Sequence, residues 1–269
     1  MNKRRWVLLR GLVREQRHWN DFPEIFKRYF PKDQLVLHDF AGNGKRFREK
    51  SATAIQDMVE DIRYTLASDS PASDSPAADA PASESRQQPV HIIALSLGAM
   101  VATEWMIRYP DECAASVLIS TSMKGLNPLH QRLLPSTYPS IIRSLLLPGP
   151  LEQKESRNLK LVSNLAADDE TRRKTLIRQW AGYARECPVS ASNGLRQLIA
   201  AARFHIPAKK PRQPVLILRS RADHLVSPEC SATLAEYWHK SLQTHETAGH
   251  DIPLDDADWV CRRIVEWLG

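Results

Sequence analysis

The sequence predicts an α/β protein: a mostly parallel, doubly wound sheet of about six strands, with a helical segment inserted before the sheet is complete. Three observations carry this prediction. Short apolar runs, too brief for helices, alternate with amphipathic helical patterns over residues 1–123, which implies right-handed βαβ crossovers. Between residues 125 and 207 only helical patterns occur. Strand pattern then resumes at Pro214-Val215-Leu216-Ile217-Leu218. A chain of 269 residues has room for one such domain and its insertion. The expected organisation is a core of 1–123 and 214–269 and a helical cap of 124–213.

Each element has its own pattern. Trp6–Leu9 is a compact apolar strand. His18–Phe30 places Trp19, Phe22, Ile25, Phe26 and Phe30 at helical spacing. Gln34–Phe40 is a second strand, running into Ala41-Gly42-Asn43-Gly44-Lys45. That turn is no phosphate loop, because Arg46 stands where Ser or Thr is required. Ser51–Leu66 is a helix with Ile55, Met58, Val59, Ile62 and Leu66 on one face. The tract Ser68–Ser85, part of an insertion spanning 68–88, holds no large apolar side chain and is expected to be disordered and remote from any site. Val90–Leu95 and Ala115–Thr121 read as strands flanking a helix at Leu97–Tyr109. Helical patterns follow at Gln131–Leu134, Ile141–Leu147, Asn158–Leu165, Glu170–Glu186 and Asn193–Phe204. After the Pro214 strand come a helix at Pro228–Lys240, a last strand at Gln243–Ala248 and a closing helix at Leu254–Leu268.

Composition narrows the classes. Apolar content of 42% and charged content of 25% are those of a globular protein. Met1–Arg5 has the look of a signal-peptide start, but Arg10 and Arg14 interrupt the apolar stretch, and no run reaches membrane-span length. Cys113, Cys187, Cys230 and Cys261 share no metal-type spacing and read as reduced thiols, so a cytoplasmic location is expected, without metal or cofactor. The net charge of +6 is uneven: residues 124–212 carry sixteen Lys and Arg against six Asp and Glu, which leaves −4 on the rest. This basic segment either attracts an anionic substrate or carrier, through arginines such as Arg172, Arg173, Arg178 and Arg196, or consists of solvated helix faces. No recognition motif accompanies the charge, so nucleic acid is not an expected partner.

The chemistry concentrates at strand ends. In Ala94-Leu95-Ser96-Leu97-Gly98 a strand turns sharply into a helix at a serine, with small residues two positions either side. Such a turn lifts the Ser96 hydroxyl above the sheet and aims the helix's first N–H groups at whatever Ser96 attacks. Asp223 lies just past the strand after the helical segment, and His250 just past the last strand. A serine hydroxyl needs a base during attack; imidazole titrates near neutrality and supplies one; a carboxylate on the other ring nitrogen fixes the tautomer. Alone, Ser96 is more often a buried structural serine, His250 more often a turn or capping residue and Asp223 more often a strand-end turn residue, and Asp251 and Asp39 compete with Asp223. Their order and common placement favour Ser96, Asp223 and His250 together. His224 is expected on the surface, and Ser120 and Ser122 along the pocket.

At these residues the chain resembles the α/β-hydrolase family. The similarity covers nearly the whole chain: Leu9-Arg10-Gly11-Leu12, Asp39-Phe40-Ala41-Gly42-Asn43-Gly44, Ala94-Leu95-Ser96-Leu97-Gly98, Ser220-Arg221-Ala222-Asp223-His224 and Gly249-His250-Asp251. The resemblance implies a helical cap, Ser96 as nucleophile, His250 as base and acid, Asp223 as its orienter, and the backbone N–H groups of Leu12 and Leu97 as an oxyanion hole. It also implies a six-stranded core lacking the family's first two strands. Ala94 replaces the more usual glycine. Arg10 stands where the family often has histidine, and serves either as a cationic pocket wall beside Gly11 or as a pillar bonding nearby carbonyls. Trp180, Tyr183, Leu195 and Phe204 either line an acyl pocket or pack the cap.

The expected activity is hydrolysis of a small-molecule carboxylic ester or thioester, free or linked to a carrier or coenzyme A, through an acyl-enzyme. The rival expectation is a non-hydrolytic use of the same scaffold, as a lyase or a ligand- or acyl-carrier-binding protein. The nucleophile argues against dehalogenase and epoxide hydrolase chemistry, which uses aspartate on this fold. Leaving group, acyl length and oligomeric state are not encoded in any motif.

Overall fold

Six strands form one parallel sheet: β1 (Arg5–Leu9), β2 (Gln34–His38), β3 (Val90–Leu95), β4 (Cys113–Ile119), β5 (Val215–Ser220) and β6 (Ser241–His245), in the order β2-β1-β3-β4-β5-β6. This computed structural model describes residues 3–68, 88–147 and 149–269. Beyond Ser68, the tract expected to be disordered lies outside the described residues up to residue 87.

Strand alternation builds two cores. Val7, Leu9, Ile92, Ala94, Leu118, Val215 and Ile217 face one side, where α2 (Ile55–Ser68), α3 (Leu97–Arg108) and α10 (Pro228–Trp238) cover them. Trp6, Leu8, Ile93, Leu95, Val117, Ile119, Leu216 and Leu218 face the other side, under α1 (Phe22–Tyr29) and α12 (Ala257–Leu268). Both faces of the central strands are covered, which is why they read as continuous apolar runs rather than alternating ones.

Between β4 and β5 the chain forms α4 (Leu129–Arg132), α5 (Tyr138–Leu146), α6 (Leu151–Val162), α7 (Leu165–Asp168), α8 (Glu170–Glu186) and α9 (Ala191–Arg203). Leu159, Ala166, Ala167, Leu176 and Trp180 of this segment pack together with Leu254 of α11 (Ile252–Asp255). No helix among the described residues is long and apolar enough to cross a membrane.

Element boundaries differ from expectation where local backbone intervenes. The helix expected over His18–Phe30 is a 3-10 turn at Gln16–Trp19 followed by α1, because Asn20 takes a left-handed φ of 48° and Pro23 sits in the first turn of α1. The closing helix is split in two: Asp256 leaves helical space at φ −146°, and its carboxylate accepts from Trp259 N–H at 2.8 Å to start α12. The helix expected from Ser51 starts at Ile55. The basic segment is also less free than its charge suggests. Arg172 donates to the Leu254 carbonyl at 2.6 Å, Arg173 to Ala167 at 3.2 Å and Arg196 to Ser51 at 2.5 Å, leaving Arg178 exposed.

Candidate active site

The sheet reverses its direction of growth at β1, which lies between β2 and β3. The loops after β1 and β3 therefore part around a crevice at the C-terminal edge, where open α/β sheets take ligands. Ser96 occupies that edge in a strained conformation, φ 56° and ψ −113°, as the cap of α3. The turn is held by the Ser96 N–H donating to the Ile119 carbonyl at 2.9 Å. Gly98 is required by close approach: a Cβ there would sit 2.5 Å from the Leu9 carbonyl oxygen. Gly11 passes Ser96 less closely, its virtual Cβ 3.3 Å from the Ser96 Cβ.

His250 follows β6. Its Nδ1 lies 2.8 Å from Asp223 Oδ2, and both side chains are buried. Asp223 Oδ1 accepts from the Leu225 and Val226 N–H groups at 2.8 and 3.0 Å, which fixes the carboxylate. A carboxylate at Nδ1 favours the proton on that nitrogen, so in the neutral imidazole Nε2 carries the lone pair. Nε2 is buried and without a hydrogen-bond partner among the described residues, Ser96 Oγ included. Ser96 and His250 line the same cavity, of about 240 Å³.

The rival carboxylates are otherwise engaged. Asp251 is clamped by Arg10 at 3.3 and 2.6 Å, and caps α11 through the Leu254 N–H. Asp39 accepts from Gln16 N–H at 2.6 Å, with the Gln16 side chain and Lys45 N–H on its other oxygen, and burial raises its pKa. Arg10 is thus a pillar, but one bonding a carboxylate rather than carbonyls, with Trp19 stacked at 4.8 Å; it still contributes to the cavity wall.

Other expected residues divide. Leu12, Leu97, Gly11, Ser122 and Tyr183 line the cavity. The N–H groups of Leu12 and Leu97 donate to no partner among the described residues. Trp180 does not line it: the ring is fully buried in the helical segment, with its N–H on Asn20 Oδ1 at 3.3 Å and Arg14 over its face at 4.5 Å. Leu195 is exposed and Phe204 belongs to the core beneath α9. Ser120 is buried but off the cavity, and His224 is exposed.

Sequence reasoning missed the residues that hold the site's loops. Gln197, fully buried on α9, accepts from the Val13 N–H at 2.9 Å and donates to Asn43 at 2.8 Å and Ser51 at 3.0 Å, steadying the loop that carries Leu12. Val13 sits at φ 51°, a left-handed conformation costly for a β-branched residue. Asp255 gathers Gly249 N–H at 2.6 Å, Asn164 N–H at 2.9 Å, Ala166 N–H at 3.0 Å and the Ser163 hydroxyl, tying the His250 loop to the helical segment. Also unforeseen were Arg14, His18, Lys154, Glu155 and Asn158 on the cavity wall. The dense run Arg14-Glu15-Gln16-Arg17-His18 just after a strand end was the available signal. Burial, reinforced by the Arg14 and Arg10 charges, pushes the His18 pKa well below its ordinary value.

With fold and site in place, comparison with known proteins defines the class. The family model described as "Serine aminopeptidase, S33" matches residues 18–257, and the chain belongs to that family of α/β hydrolases. Among solved structures it is similar to the enol-lactonase from Burkholderia xenovorans LB400, at a TM-score of 0.74 and 14% identity over 100% of this chain and 92% of that one. It is also similar to MGS-M2, an alpha/beta hydrolase from a Medee basin deep-sea metagenome library, at 0.73 and 16% over 100% and 90%. Carboxylesterase CesB from Bacillus subtilis aligns at 0.70 and 16% over 99% and 84%. At these identities the likeness is one of fold. The sequence found no match among curated proteins.

Proposed function

We infer that this α/β hydrolase is a serine hydrolase that cleaves a small carboxylic ester or thioester through an acyl-enzyme. The observation carrying the reading is the Asp223–His250 hydrogen bond of 2.8 Å, which leaves Nε2 unpartnered in the cavity that Ser96 lines. On this reading the Ser96 hydroxyl rotates toward Nε2 as substrate enters, a contact that commonly tightens only in the complex. Oγ adds to the carbonyl carbon while its proton passes to Nε2. The carbonyl oxygen becomes an oxyanion, received by the N–H groups of Leu12 and Leu97. Collapse expels the alcohol or thiol, which takes the proton from Nε2, and leaves acyl-Ser96. Water then repeats the sequence with His250 again as base. Helices α4–α9 act as a cap over the acyl group.

A fluorophosphonate probe is expected to label the protein at one site, and Ser96→Ala to abolish labelling together with hydrolysis of a panel of oxygen esters, thioesters and aminoacyl amides. The second reading is a non-hydrolytic lyase or binding protein on the same scaffold. An unlabelled, catalytically silent protein that still binds acyl ligands would establish that reading in place of the first.

A further inference from the structure

Among the described residues, charge pairing around the cavity leaves two cations without a carboxylate, Arg132 and Lys154, and of these Lys154 alone lacks a hydrogen-bond acceptor. Four basic side chains line the cavity: Arg10, Arg14, Arg132 and Lys154. Arg10 is held by Asp251, and Arg14 by Glu155 at 2.9 Å. Arg132 donates to the carbonyls of Ala202 and Ala201 at 3.2 and 2.7 Å, closing the end of α9. Lys154 is half-buried, and its ammonium has no acceptor among the described residues. The neighbouring Glu155 carboxylate is already taken by Arg14 and by Asn158 at 3.2 Å. Helix stability does not explain the lysine either. It stands in the first turn of α6, where the helix end is itself positive and a cation is disfavoured.

The placement of α6 gives the lysine a distance from the chemistry. Lys154, Glu155, Asn158, Leu161 and Val162 all line the cavity and share one helical face. At the far end, the Val162 carbonyl accepts from Asp251 N–H at 2.7 Å, so that end abuts the His250 loop. Eight residues of helix separate the two ends, about 12 Å. Ser96, Leu161 and Lys154 line one cavity, so a ligand held at Ser96 shares that cavity with an ammonium that has no acceptor among the described residues.

We propose that Lys154 is a specificity-determining residue that receives an anionic group of the substrate, about 12 Å along α6 from the end that abuts the His250 loop. This rests on the hydrolase reading above and adds the substrate's charge to it. The anion comes either from a terminal carboxylate on the acyl chain or from phosphate in the leaving group, and the two sources are separable.

The test measures binding in Ser96→Ala, where turnover plays no part. One pair of probes is monomethyl decanedioate against methyl decanoate. The other is decanoyl-coenzyme A against the decanoyl thioester of N-acetylcysteamine. The anionic member of one pair is expected to bind more tightly, and that pair identifies the source. Lys154→Glu is expected to cut the preference roughly tenfold and Lys154→Met by less, while Lys154→Arg retains it. Added salt should shrink the preference as well. Thermal midpoints of the variants report on folding, and Lys154→Glu should not lower the midpoint, given its place on α6. No preference in either pair, or one that survives Lys154→Glu, overturns the proposal. Failure of the hydrolase reading shows separately, as absence of Ser96-dependent turnover in the chain with Ser96 intact.

Discussion

His18 illustrates what burial does to a single side chain. Its Nε2 lies 3.1 Å from the Arg14 guanidinium and its ring 5.2 Å from Trp180. Loss of water, then the Arg14 and Arg10 charges, hold its pKa well below 6.5, so the folded protein keeps it neutral. The unfolded chain binds a proton there that the folded chain refuses, so stability falls as pH drops below the unfolded value. His18→Gln is expected to flatten the fall in thermal midpoint between about pH 7 and pH 5. Glu15 and Asp39 act in the opposite sense: burial raises both, the folded state holds their protons more tightly, and acidification favours it. An unchanged slope in His18→Gln would show that another group titrates. Arg10 shows a different limit of sequence. It was readable as buried wall or pillar, but its partner Asp251 is remote in the chain, and only packing could pair them.

At the scale of elements, the turn from β3 into α3 is the part that the residue pattern described best. Small residues at 94 and 98 predicted a crowded backbone, and the Leu9 carbonyl passes 2.5 Å from where a Gly98 Cβ would stand. Gly98→Ala must therefore displace main chain, and urea unfolding should show a loss of about 1–3 kcal/mol. A neutral result would mean that β1 yields easily there. The helical segment was legible as helices but not as connections. Gln197, Asp255 and Lys154 acquire their surroundings from loops distant in sequence, and no periodicity signals that. The same distance in sequence explains why Trp180 stayed open between acyl pocket and cap packing. An aromatic on a helix faces either cavity or core, and the packing of α6 against α8 put this one in the core.

For the molecule as a whole, three of the four cysteines are buried, Cys113 and Cys261 in the two cores and Cys230 on α10. Burial pushes the thiols of Cys230 and Cys261 up to about 12 and Cys113 higher still, while Cys187 is half-buried on the cavity wall. A disulfide reagent should therefore find one reactive thiol in the native protein and four after denaturation. Labelling Ser96 beforehand should slow that one reaction, because Cys187 shares its cavity. Several fast thiols in the native state would contradict the packing.

What the amino-acid order determined by itself is the parallel α/β layout, the helical stretch between residues 124 and 213, and the candidate trio Ser96, Asp223 and His250. Those features depend on local periodicity and on residues placed at strand ends, both of which are written along the chain. Tertiary structure alone decided that Asp251 clamps Arg10, and that Lys154 is left without an acceptor among the described residues. Pairing of charges depends on distances between segments far apart in sequence, and those distances exist only once the sheet and helices have packed.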